Sequence, residues 1–226
     1  MALPRFFIAS LPQQGTVVLE AEEARHASNV LRVRAGDSVV VFDGQGGEAL
    51  AKVICADRRE VELELDHRTD TNRELPLRIE MIVALPKGDR QKTLVEGLVQ
   101  LGVQHLIPLA TERSVAQPSK STIAKLERLV VECSKQCGRN QLMTIGQPYL
   151  LSELMDRQPL NARDNVHRLF AHPYGDAVPL SSLLNDMRSR PTQAIIGPEG
   201  GFTEGECHAL ASGGFLQVSL GPGILR

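Results

Sequence analysis

The hydrophobic pattern of this chain changes its period once, near residue 76, and that change constrains the fold more than any other feature. Upstream, short Val-rich runs recur: TVVLE (16–20), SVVVFD (38–43), EALAKVICA (48–56) and EVELELD (60–66). Val61, Leu63 and Leu65 alternate with acidic residues, the two-residue period of a half-buried strand. FDGQGGEA marks a turn between two of these runs, and AEEARHASNVLRV (21–33) reads as one short helical piece. Several short strands in so small a segment imply a small β-barrel over residues 1–70. HRTDTNRELP (67–76) is polar, ends in proline and reads as a linker.

Downstream, strands alternate with helices. RIEMIVAL (78–85), VQHLIPL (103–109), RLFA (168–171), QAIIG (193–197) and FLQVSLG (215–221) read as strands. DRQKTLVEGLVQLG (89–102) places Leu94, Val95, Leu98 and Leu101 at helical spacing. KSTIAKLERLVVECSKQCGRN (120–140) carries the stripe Ile123, Leu126, Val130, Cys133 and Cys137. Such alternation predicts an α/β domain over 77–226, with a mainly parallel sheet and helices on both faces.

Composition narrows the classes of function. The chain is 42% hydrophobic and 23% charged, as in an ordinary soluble globular protein. No run is apolar enough to span a membrane and no signal peptide is visible, so a cytoplasmic protein is expected. The four cysteines lack metal-knuckle or C-x-x-C spacing; reduced structural thiols and no metal are expected. A net charge of −2 argues against a wholly basic nucleic-acid binder, but not against one with a basic face.

The stretch IIGPEGGFTEGE (195–206) carries the strongest local signal. A strand ends at Gly197-Pro198-Glu199-Gly200-Gly201, and Thr203-x-x-Glu206 is a capping box that starts a helix. Ligands of open α/β sheets bind at the carboxyl ends of strands, where this loop lies. It has neither the G-K-[ST] ending of a P-loop nor G-x-G-x-x-G, so a dinucleotide-binding enzyme ranks low. SLGPGILR (219–226) ends another strand with a second Gly-Pro turn, and FAHPYG (170–175) ends a third. Two such loops at neighbouring strand ends could clamp a flat ring between backbone groups.

Taken together, IGPEGGFTEGE, LGPGILR, LGV…IPL…TERS (101–114) and ECSKQCGRN (132–140) resemble the bacterial family of small-subunit ribosomal RNA uridine N3-methyltransferases, within the SPOUT superfamily. PRFF, HASNVLRVRAGD and FDGQGG resemble the family's N-terminal PUA-like RNA-binding barrel, so the resemblance runs from residue 4 to the end. It implies a PUA-like barrel followed by a SPOUT α/β domain whose C-terminal segment forms a trefoil knot, a rare exception to unknotted topology. It also implies S-adenosyl-L-methionine as cofactor, 16S ribosomal RNA of the small subunit as substrate, and a homodimer. The chain departs from the family pattern at Gly223, where a basic residue is usual. It departs again at Arg226, after which the family continues with Thr-Glu-Thr-Ala and a further helix. If the protein itself ends there, the knot and part of the dimer interface are incomplete. The alternative reading is then a non-catalytic RNA-binding protein of the same fold.

On this reading the cofactor lies against Ile196, Gly197, Pro198, Glu199, Gly200 and Gly201, with Ala171 and His172 on one side. Leu220, Gly221, Pro222, Ile224 and Leu225 lie on another. His172 also reads as a simple loop histidine, and Glu199 as an acidic residue favouring the following helix N-terminus. Methylating uridine N3 requires loss of an imide proton from an unpaired, flipped-out base. A positioned arginine would stabilise the resulting charge. Arg226 is the first choice and Arg139 the second, although Arg139 also reads as a helix C-terminal cation. Glu199 is the candidate general base. Expected RNA contacts are Arg5, Arg32 and Arg34 on the barrel, and Lys87, Arg90 and Arg113 on the α/β domain, each also readable as a solvated surface charge.

Overall fold

The computed structural model describes residues 3–57, 59–115, 118–156, 166–188, 190–221 and 223. By its contacts the chain divides into two units, Met1–Glu74 with Val130–Leu142, and Leu75–Leu129 with Met143–Arg226.

In the first unit, alternation produces a curled sheet around one core. Its elements are β1 (Arg5–Phe7), β2 (Gly15–Glu20), α1 (Ala21–Arg25), a π-helical turn (His26–Leu31), β3 (Ser38–Phe42), β4 (Gly47–Ala56), β5 (Glu60–Leu65) and β6 (Thr69–Asp70). The sheet runs β1-β3-β4-β5-β2, with β6 paired to β4; β1 lies parallel to β3 and the other pairs are antiparallel. Every second residue of the long strands points inward, so Leu19, Val41, Val53 and Leu63 meet Phe6 of β1 in a single buried cluster. Leu19 stands opposite Val61 across β2 and β5, and both are fully buried. Burying a side chain of this kind contributes about 1.5–3 kcal/mol. The expected single helix over 21–33 is instead a five-residue α-helix continued by the π-helical turn. Arg32, at φ 55°, ends it in the left-handed region that few non-glycine residues adopt.

Residues 67–76 differ from the expected linker. Thr69–Asp70 forms β6, and the charges of this segment find partners far along the chain. Arg68 donates to Asp43 at 2.9 Å, Arg73 donates to Glu48 at 2.7 Å, and Glu74 accepts from Arg139. Polarity here reflects ion pairing within the unit.

The second unit holds β7 (Ile79–Ala84), α2 (Arg90–Gln100), β8 (His105–Ala110), β9 (Thr144–Ile145), β10 (Tyr149–Leu150), α4 (Leu151–Asp156), β11 (His167–Ala171), β12 (Val178–Pro179), α5 (Leu180–Met187), β13 (Thr192–Ile196), α6 (Glu204–Ser212) and β14 (Leu216–Ser219). The helix α3 (Lys120–Cys137) begins in this unit, and its residues from Val130 on belong to the first. The sheet order is β10-β8-β7-β13-β11-β14-β12 with β9 on β8, and every pairing is parallel. The central strands are nearly continuous apolar runs, as strands covered on both faces require. Ile82, Ile107, Phe170 and Ile195 form their shared core with Leu154 of α4 and Leu210 of α6. Two expected helix stripes end early: Leu101 is 72% exposed and Cys137 is exposed. Among the described residues, no helix is long and apolar enough to cross a membrane. The expected trefoil knot falls on the C-terminal segment, where Pro222 and residues 224–226 lie outside the described residues.

Candidate active site

β13, β11 and β14 are neighbours in the sheet and end side by side, with Ala171 registered against Ile196 on one flank and Val218 on the other. The chain leaves β13, passes through α6 and re-enters the sheet on the far side of β11. Such a reversal of direction is where open α/β sheets hold ligands. The loops leaving these three ends enclose a cleft of about 510 Å³, within the usual range for a small-molecule site.

The glycine loop forms the floor for local reasons. The Gly201 N–H donates to the Pro198 carbonyl at 2.8 Å, and Gly201 sits at φ +68°, a conformation that favours glycine. Thr203 Oγ1 accepts from the Glu206 N–H at 3.3 Å, and Glu206 Oε2 accepts from the Thr203 N–H at 2.8 Å, completing the expected capping box. Between the glycines and the cap, Phe202 turns into the core. Its ring lies 6.1 Å from that of Phe170, nearly perpendicular, and 6.5 Å from the imidazole of His172. A Cβ on Gly197 would stand 2.9 Å from the Phe202 ring, so the absence of a side chain there is what lets the ring close against the strand end.

The second wall is Ala171 to Tyr174. The His172 N–H donates to the Val218 carbonyl at 3.0 Å, and the imidazole meets the Tyr174 ring edge-on at 5.5 Å. Burial pushes the His172 pKa below its ordinary value, which keeps the ring neutral at pH 7.

The rim is charged. Arg90, at the start of α2, donates to Glu199 at the tip of the glycine loop at 3.1 Å. Arg113, on the loop leaving β8, donates through Nη1 to the Gly200 carbonyl at 2.9 Å and to the Phe202 carbonyl at 3.4 Å. Beside it, the Glu112 N–H donates to Glu206 Oε1 at 2.8 Å.

Among the residues expected at the cofactor, Ala171, His172, Ile196, Gly197, Pro198, Glu199, Gly200, Gly201 and Leu220 line this cleft. Gly221 is described but is not part of the lining, while Pro222, Ile224 and Leu225 lie outside the described residues, as does Arg226. Gly223, within the expected 220–225 backbone wall, also lines it, while Pro173, Tyr174, Phe202, Glu204 and Val218 line the cleft without having been expected there. A signal existed for Phe202, a lone aromatic between a glycine pair and a capping box. Tyr174 follows the strand end already singled out at FAHPYG.

The arginines divide. Arg139 was expected as a second catalytic choice, yet it belongs to the first unit and is buried. Its Nε donates to Glu74 Oε1 at 2.9 Å and its Nη2 to Glu74 Oε2, a forked ion pair that occupies the guanidinium in holding the fold. Arg5, expected at RNA, is also held within the first unit. Its side chain is only 13% exposed, donates to Glu48 at 3.0 Å and to Asn140, and lies 5.0 Å from the centre of the Phe42 ring. Arg32 and Arg34 are exposed on the first unit, and Lys87 and Arg90 on the second. Arg113, expected at RNA, stands in the cleft wall.

Comparison with known proteins agrees with this geometry. Residues 73–226 match the family model of an RNA methyltransferase domain, and residues 19–66 match that of an RNA methyltransferase PUA domain. The chain is 30% identical to ribosomal RNA small subunit methyltransferase E of Synechocystis over 218 residues, covering 94% of this chain and 69% of that protein. It is 28% identical to the Bacillus subtilis protein of the same name, covering 99% and 91%. Among solved structures it superposes with TM-score 0.89 on the Neisseria gonorrhoeae ribosomal RNA small subunit methyltransferase E bound to S-adenosyl methionine (30% identity; 100% of this chain, 92% of that one). A putative methyltransferase from Legionella pneumophila, solved with bound S-adenosylmethionine, gives the same TM-score of 0.89 at 29% identity and the same coverage of 100% and 92%. Both parts of the chain thus match, in order, and the chain belongs to the RNA methyltransferase family that includes ribosomal RNA small subunit methyltransferase E.

Proposed function

We propose that this protein transfers a methyl group from S-adenosyl-L-methionine to N3 of a uridine in 16S ribosomal RNA of the small subunit. The observation that carries the reading is the cleft at the ends of β13, β11 and β14, floored by a glycine loop that lacks a phosphate fingerprint. The residues present suit this cofactor. Cβ positions on Gly201 and Gly223 would meet nothing within 4 Å, so backbone groups are open to a closely packed ligand. The Legionella and Neisseria relatives, whose chains superpose on this one, were solved with the same cofactor bound, which supports the assignment.

When bound, S-adenosyl-L-methionine supplies an electrophilic methyl group on a positively charged sulfur. The protein's own groups have four tasks. Backbone groups of Gly197–Gly201 and Leu220 hold the flat part of the ligand. His172, neutral through burial, adds no repulsion to a cation in the cleft. The target base enters unpaired, because its N3–H lies on the pairing edge. Loss of that proton leaves negative charge on the two flanking carbonyl oxygens, which Arg226 is assigned to stabilise. Glu199, as general base, would first exchange the Arg90 guanidinium for the imide proton. Arg32, Arg34 and Lys87 contribute phosphate contacts, whose affinity falls as salt rises. The reading includes a homodimer, as the family resemblance implies, acting in the cytoplasm.

The test is transfer of labelled methyl from S-adenosyl-L-methionine to small ribosomal subunits that lack the modification, with naked 16S RNA as a parallel substrate. Stoichiometric label on either substrate is the expected result. RNA binding with no transfer to either refutes the enzyme and leaves the non-catalytic RNA-binding alternative.

A further inference from the structure

The loop after β8 and the glycine loop after β13 are far apart in sequence, yet two polar links tie them together. Arg113 Nη1 donates to the carbonyls of Gly200 (2.9 Å) and Phe202 (3.4 Å), two residues apart on the glycine loop. In the opposite sense, Glu206 accepts from the backbone N–H of Glu112 through Oε1 and from that of Thr203 through Oε2, both at 2.8 Å. A cation on the β8 loop thus holds carbonyls of the glycine loop, while a carboxylate in the first turn of α6, just after the glycine loop, holds an N–H of the β8 loop. The β8 loop is itself stiffened: Thr111 N–H donates to Ser114 Oγ at 2.9 Å, and Ser114 N–H returns to the Thr111 carbonyl at 3.1 Å. Gly200 and Gly201 have no side chains to fix their peptide planes, so their orientation depends on what the neighbouring groups accept and donate. Arg113 supplies that orientation from the cleft wall.

We propose that Arg113 and Glu206 form a two-point clamp that presets the peptide groups of Gly200–Phe202 for the cofactor. Arg113 is then a positioning residue for cofactor binding, and its role is distinct from an RNA phosphate contact. The inference rests on the cofactor reading of the cleft. Preorganised peptide groups spare the ligand the cost of ordering the loop, so the clamp acts on affinity more than on the chemical step.

The experiment is calorimetric titration of S-adenosyl-L-methionine into the full protein without RNA, for wild type, R113A, R113K, E206Q and R113A/E206Q, with thermal melts and RNA binding measured alongside. Wild type should bind; if it does not, the cofactor reading itself fails. R113A should weaken binding about tenfold or more, as loss of a charge-assisted hydrogen bond predicts. R113K should recover part of that loss, since lysine keeps the charge but carries it as a compact, strongly hydrated ammonium. E206Q, which keeps only one of two acceptors, should also weaken binding. The double variant should lose less than the product of the single losses, because either break frees the same loop. In steady state, R113A should raise KM for S-adenosyl-L-methionine more than it lowers kcat. Cofactor affinity of R113A within twofold of wild type overturns the clamp. So does a loss confined to RNA affinity, or a lowered melting temperature with unchanged cofactor affinity.

Discussion

Placing one methyl group on Gly197 tests the glycine loop as a packed device. In G197A the new Cβ would stand 2.9, 3.0 and 3.2 Å from three carbons of the Phe202 ring. Ordinary carbon contacts lie at roughly 3.5–4.0 Å, so the ring must retreat by about half an ångström or more. Retreat is obstructed, because Phe202 is 4% exposed and its ring packs against Phe170 and His172. Overpacking of this kind costs about 1–3 kcal/mol. For a chain of this size that is a fall in Tm of roughly 2–12 °C. Displacing Phe202 also drags Gly201 and Thr203, so cofactor affinity should fall with stability. F202L in the G197A background removes the clash and should restore part of both. On its own it should be destabilising by about 1 kcal/mol through the cavity it leaves. The two substitutions are therefore predicted to be non-additive, which a double-mutant cycle of melting and calorimetry reads directly. G201A is the control: its Cβ meets nothing within 4 Å, but φ +68° imposes about 1–2 kcal/mol that F202L cannot relieve. Wild-type stability and affinity in G197A, or no rescue by F202L, would refute the packing argument.

Three further outcomes follow from the ion pairs and the cap. Glu48 is held down to about 2 chiefly by its hydrogen bond from Arg73, with Arg5 adding to the effect and burial opposing it. A depressed carboxylate contributes stability above its ordinary value of 4.5 and loses it as the pH falls toward about 2. E48Q should therefore cost roughly 2 kcal/mol at neutral pH, after discounting for the exposure of Arg73, and the gap from wild type should close on acidification in urea unfolding. R139M leaves Glu74, a part-buried carboxylate with its side chain 11% exposed, without its forked partner and should be destabilised by about 3 kcal/mol in denaturant unfolding, a loss of fold preceding any loss of chemistry. T203A removes one half of the capping box and should cost about 1 kcal/mol in thermal melts, with α6 otherwise intact.

The parts of the fold legible in the sequence are those whose signal is local and repeated. Val61, Leu63 and Leu65 alternate, and Leu126, Val130 and Cys133 recur at helical spacing, and each ends buried. What escaped depends on distant partners. β1 is three residues long and exists through parallel pairing with β3; β6, β9, β10 and β12 are two residues each, too short to show a period. Segment 67–76 reads as a linker because its charges look solvent-seeking, and nothing local reveals that Arg73 finds Glu48 or that Glu74 finds Arg139. The π-helical turn escaped because one extra residue per turn leaves no mark in a short amphipathic run. At the site, turn chemistry and the capping box made the glycine loop legible. Arg113 reads in the sequence as an RNA contact, since the carbonyls it holds lie 87 and 89 residues away.

The most direct test of the central claim is nucleoside analysis of 16S RNA after incubation of the small subunit with this protein and methyl-labelled S-adenosyl-L-methionine. The account predicts that the label elutes as 3-methyluridine, at one site per RNA, and that G197A slows its appearance. Label on a ribose oxygen or on another base, or no label while the cofactor binds, would contradict it.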